Sequence, residues 1–115
     1  MTNSVAGGVV RIWRGRTKAQ DAEFYTNYLY EGGPKELERL GARGVQMFRR
    51  ELGDETEFVV MSYWDSLDAM KAWAGEQPTR IRHLERDPEL LVELPDSVEV
   101  FEVLANSWRL ADGVR

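Results

Sequence analysis

Few side chains in this sequence are suited to chemistry, and most of them are aromatic or cationic. There is one histidine, His83, and no cysteine. That excludes thiolate metal sites, cysteine nucleophiles and disulfides, and it leaves no multi-histidine metal cage within one chain. Arg11, Arg14 and Arg16 surround Trp13 and make a candidate grip for a carboxylate or enolate. The same arginines also suit ion pairs with the acidic stretch Glu85, Asp87, Glu89, Glu93, Asp96, Glu99 and Glu102. Arg49 and Arg50 share that ambiguity. Tyr25, Tyr28 and Tyr30 cluster in a helical stretch. A phenol there could hydrogen-bond a quinone or phenol oxygen or move a proton, or Tyr25 could simply pack beneath its helix. Asp65 and Asp68 read as carboxylates at a helix N-terminus rather than as catalytic groups. No phosphate loop, serine triad or paired-carboxylate motif is recognisable.

The elements that must position these groups follow from periodicity. Val9–Arg16 reads as a strand with apolar residues on both faces. Residues 19–30 read as a helix with Ala22, Tyr25 and Leu29 at three- and four-residue spacing. Pro34 opens a second helical stretch through Leu40. Gly44–Leu52 and Glu57–Asp65 are strands joined by the short polar connection Gly53–Thr56. Ser66 is a natural N-cap for a helix over Leu67–Ala74. Thr79–Arg86 is expected to form another helical piece, and Ser97–Leu104 the last strand. The tail holds Trp108 and Leu110, which are expected to dock.

The order β-α-β-β-α-β is the α+β, ferredoxin-like arrangement, with helices on one face of a four-stranded antiparallel sheet. Its third strand carries Phe58, Val60 and Trp64 on one face and Val59, Met61 and Tyr63 on the other. A sheet with one wet face should alternate apolar with polar. Both faces here ask for cover, so a second copy of the chain is expected on the face the helices leave open.

The chain is 115 residues long, 43% hydrophobic and 30% charged, with a formal net charge of −5. That is one globular domain over residues 9–104, with a lead-in at 1–8 and a tail at 105–115. The acidic balance argues against nucleic-acid binding through broad positive charge. No apolar run approaches the ~20 residues of a membrane span, and no secretory signal is visible. The expectation is a cytoplasmic protein with neither membrane nor nucleic acid as partner.

An ordered set of segments carries a family resemblance: Arg11–Gly15, Glu57–Val60, Tyr63–Ala69, Trp73–Glu76 and Val98–Val103. Together, over residues 9–104, they resemble the antibiotic biosynthesis monooxygenase-like family of dimeric α/β-barrel proteins, especially its uncharacterised bacterial members. The resemblance implies a homodimer with sheets packed face to face and a pocket between each sheet and its own helices. It also implies either cofactor-independent oxidation of aromatic or polyketide-like compounds or haem degradation. Fold alone does not choose between them.

Trp64 matches the tryptophan that ends strand three and lines the pocket in the polyketide oxygenases. Those enzymes also carry an asparagine four positions earlier, a tyrosine six later and an arginine twenty later, where this chain has Val60, Met70 and Leu84. The family register suggests that Arg14, with Val10 and Ile12, faces the pocket. On that reading Ser62, Trp64, Met70 and Trp73 shape a cavity for a small hydrophobic or aromatic molecule, Tyr25 offers a phenol, and Arg14 or Arg82 lies near the developing negative charge. No cofactor is then required. The alternative is haem, because the spacing of Trp73 and His83 matches a tryptophan and haem-ligating histidine of the haem-degrading relatives. Those relatives also carry a strand-one asparagine that has no counterpart here. A third reading is a non-catalytic binder or structural dimer.

Overall fold

The computed structural model describes residues 8–108. β1 (Val9–Lys18), β2 (Gly44–Leu52), β3 (Glu55–Trp64) and β4 (Glu99–Glu102) form one antiparallel sheet in the order β2-β3-β1-β4. A 3-10 turn at Ala19–Asp21 leads into α1 (Ala22–Gly32), followed by α2 (Pro34–Arg39), α3 (Leu67–Ala74) and the short α4 (Asp87–Leu90). This is the α+β ferredoxin-like fold. The expected lead-in at residues 1–8, apart from Gly8, and Leu110 of the tail lie outside the described residues.

The register explains which face meets the helices. Val9 pairs with Trp64, Trp13 with Val60 and Gly15 with Phe58, so the largest apolar side chains of both central strands point the same way. Helix residues Tyr25, Leu29, Leu37, Met70 and Trp73 bury against them. Tyr25 meets Phe58 edge-on at 5.1 Å between ring centroids, a geometry worth about 0.5–1.5 kcal/mol beyond the area buried. β2 turns into β3 over Gly53 and Asp54, with Gly53 at φ +65°, the left-handed conformation that two-residue hairpin turns require. Ser66 caps α3, its Oγ accepting from the Ala69 N–H at 3.0 Å.

Two stretches depart from the sequence-based expectation. Thr79–Arg86 is not helical. Its backbone is claimed by other partners: the Thr79 carbonyl accepts from the Val98 N–H, Arg80 bridges to Ser97, and the Arg80 carbonyl accepts from Arg11. Ile81 and Leu84 imitate a helical stripe, but helix starts only at Asp87, where Pro88 occupies the first turn. β4 is shorter than Ser97–Leu104 because it pairs with β1 only from Val9 to Ile12.

The opposite face of the sheet carries Val10, Ile12, Phe48, Val59, Met61, Tyr63 and Phe101. Phe48 is 46% exposed and Phe101 52%. Trp108 of the tail leans edge-on against Tyr63 at 5.0 Å. No helix of the described residues is long and apolar enough to cross a membrane.

Candidate functional site

Between sheet and helices lies a cavity of about 30 Å³. β1 contributes Arg11 and Trp13, β3 Val60, α1 Leu29, the α1–α2 junction Gly33, and α2 Leu37. α3 supplies Trp73, the extended segment Arg82 and Leu84, and α4 Asp87. Each strand residue arrives there by alternation, since Arg11 and Trp13 share the parity of Val9 and so point toward the helices. The volume is enough for a water or a small polar head group and far too small for an aromatic ring system. Outside it opens a depression of about 460 Å³ that shares Trp73 and Arg82 with the cavity. The Arg82 guanidinium lies 4.3 Å from the Trp73 ring centroid, a cation–π contact standing between the two spaces.

Arg11 is the unusual group. It is only 3% exposed, its Nη2 donates to the Arg80 carbonyl at 3.0 Å, and among the described residues it forms no ion pair. Its Nε has no hydrogen-bond partner, and neither has Nε1 of Trp73. Burial away from water lowers the Arg11 pKa to about 10, because desolvation disfavours the charged form. Asp87, also buried, is fully engaged. Its Oδ1 accepts from the Tyr25 hydroxyl at 2.8 Å and its Oδ2 from the Leu84 N–H at 2.9 Å. Burial first, and the Asp87 charge second, push the Tyr25 phenol well above the usual tyrosine range.

The residues singled out by sequence fall into distinct places. Trp73 and Arg82 line the cavity. Ser62, Trp64 and Met70 are buried in the core on the same face of the sheet or on α3, with Trp64 Nε1 donating to Ser62 Oγ at 3.0 Å. Tyr25 reaches the cavity wall only through Asp87. Arg14 is a correction: it lies on the open face of the sheet, paired with Glu99 at 3.4 Å, and cannot face the cavity. The strand alternation stood, but the large side chains of β3 send Trp13 to the helical side and Arg14 to the other. Arg16 pairs with Glu93 of the late acidic stretch and also with Glu55, whereas Arg49 pairs with Glu23, outside that stretch.

His83 is exposed on the rim of the outer depression beside Arg80 and Lys71. The residues around it do not fit a haem: the cavity of about 30 Å³ cannot hold a macrocycle, and the space next to His83 is open and largely polar. Among the described residues no group of three or more His, Cys, Asp or Glu side chains is placed to hold a metal ion.

Sequence reasoning passed over Asp87, which reads only as one acid among many before a proline. It weighed Arg11 as part of an anion grip but gave the pocket to Arg14. The pairing of Trp13 parity with the bulkier face of β3 is the signal that could have found it.

No curated protein matches the chain. The profile of the antibiotic biosynthesis monooxygenase family matches residues 13–80, more than half of the chain, and this segment supplies six of the ten residues around the cavity, all but Arg11, Arg82, Leu84 and Asp87. The chain belongs to the antibiotic biosynthesis monooxygenase family.

Proposed function

We propose that this protein is a homodimeric monooxygenase that oxidises a small, electron-rich aromatic or polyketide-like compound with dioxygen and no bound cofactor. One observation carries the reading: a small, largely apolar chamber between sheet and helices, walled by Trp13, Leu37, Val60 and Trp73, is lined by a buried cation, Arg11. Such a wall favours a flat apolar body at its mouth, and the cation favours the anionic form of an enol or phenol. The substrate anion passes an electron to dioxygen, and the resulting radical and superoxide combine to a peroxide. Loss of water from it leaves a new carbonyl, so that one CH₂ and one O₂ become one C=O and one H₂O. The protein's part is shape, dryness and charge placement.

A second copy of the sheet is the natural cover for the open face, where Phe48 and Phe101 stand half exposed. Light scattering at micromolar concentration is expected to give a dimer, and a stable monomer overturns that part.

Oxygen uptake with anthrone tests the chemistry. We expect one O₂ consumed per quinone formed, with the rate reduced in Trp73→Ala. An absence of uptake across a series of anthrones and hydroquinones removes the enzymatic reading. A specific observation then favours a non-catalytic binder: the cavity carries Val60 and Leu84 at two positions where the resembled oxygenases have polar groups.

A further inference from the structure

Two buried N–H groups on cavity-lining residues, Arg11 Nε and Trp73 Nε1, have no acceptor. Buried donors are nearly always paired, so two orphans at one small cavity mark a missing acceptor. Neither is met from within. Asp87, the acid on the same cavity, already accepts from Tyr25 and from the Leu84 backbone. A lone water would quiet a donor but leave the guanidinium charge uncompensated, and buried charge is tolerated best when it is paired.

We infer that the chamber receives the oxyanion head of the ligand, a carboxylate or an equally acidic enol, with Arg11 and Trp73 as donors, while the ligand's flat unsaturated body lies in the outer depression. The sizes decide which part goes where. About 30 Å³ suits a head group, and about 460 Å³ of adjoining open space suits a ring system. Guanidinium is the side chain whose planar donor fork matches a carboxylate. The approach is cationic in a chain of net charge −5: Arg80 and Arg82 line the depression and no acid does. Lys71, also there, is already paired with Asp68 and Glu76. Trp73, with Arg82 over its ring, stands where head and body would join.

This deepens the reading of the same site and rests on it only for where the ligand sits, so it is tested without turnover. Calorimetry under nitrogen compares 2-naphthoate with its neutral isostere 2-naphthamide on the full chain. The acid is expected to bind at least about tenfold more tightly, and Arg11→Met to erase that preference, in keeping with a charge-assisted hydrogen bond. Trp73→Phe keeps the ring, removes the donor, and is expected to weaken 2-naphthoate severalfold while leaving 2-naphthamide nearly unchanged. Equal binding of acid and amide overturns the inference. So does a preference that survives Arg11→Met but disappears in Arg82→Gln, which would place the anion on the surface cations only. If Arg11→Met does not fold, the acid–amide comparison and Trp73→Phe decide. Tight acid binding here together with no oxygen uptake in the anthrone series would sink the monooxygenase reading and leave this one standing.

Discussion

The Tyr25 hydroxyl donates to Oδ1 of Asp87 at 2.8 Å, joining α1 to the start of α4, 62 residues further along the chain. The other carboxylate oxygen holds the Leu84 N–H. Asp87 thus ties the extended segment, which carries Arg82 and Leu84, down onto α1 and closes one wall of the cavity. Tyr25→Phe should cost about 1–3 kcal/mol, since it leaves a buried acceptor without its donor. Urea denaturation measures the loss, and hydrogen exchange at Leu84 should accelerate with it.

Tyrosine ionisation gives a second check. With its pKa raised, Tyr25 stays protonated in the folded chain while an unfolded tyrosine ionises near pH 10. Its contribution to stability is therefore complete below about pH 10 and declines as pH rises above it. Burial shifts Tyr63 in the same direction. Ultraviolet titration should show Tyr25 ionising only with alkaline unfolding, and Tyr25→Phe should make that unfolding less steep in pH.

Arg11 shifts the opposite way, and the sign reverses. A cation whose folded pKa falls to about 10 destabilises the fold at neutral pH, and the cost is relieved as pH rises through about 10 toward the unfolded value. Arg11→Met should accordingly raise Tm at pH 7 in the absence of any anion. A fall of several degrees would show that the arginine serves packing instead.

Two glycines separate a rigid neighbour from a yielding one. A Cβ at Gly15 would come within 2.6 Å of the Trp13 ring and 3.3 Å of Leu91, so Gly15→Ala should cost about 1–3 kcal/mol through overpacking. At Gly32 the Cβ meets only the Leu84 side chain, at 2.9 Å. That end can swing, and alanine favours the helix by about 0.5–1 kcal/mol. Gly32→Ala should leave Tm close to unchanged while displacing Leu84 and altering 2-naphthoate binding.

Ser62 and Trp64 form a closed buried pair at 3.0 Å. Ser62→Ala should cost about 1–3 kcal/mol because the indole N–H is then stranded. A double-mutant cycle with Trp64→Phe should return a coupling of about 0.5–3 kcal/mol, as expected for residues in contact.

The open face of the sheet has its own test. Phe48→Glu combined with Phe101→Glu should convert a dimer to monomers without loss of secondary structure, because both rings are half exposed within one chain. Sedimentation across a concentration series reads the change.

The amino-acid order by itself determined the four strands, the first three helices, the Ser66 cap and the greasy character of both sheet faces. These depend on local periodicity and on short-range hydrogen bonds, which a sequence carries explicitly. Family membership was legible for the same reason, in the ordered segments from Arg11 to Val103. Tertiary structure alone decided which parity of β1 meets the helices, that Thr79–Arg86 gives its backbone bonds to Arg11 and Val98 instead of to a helix, and that Asp87 is buried rather than one more surface acid. Each of those outcomes depends on partners far away in the chain. Arg11 and Arg14 are three residues apart and chemically identical, and only the placement of Val60 and Phe58 across the strand pair sends one into the cavity and the other into water.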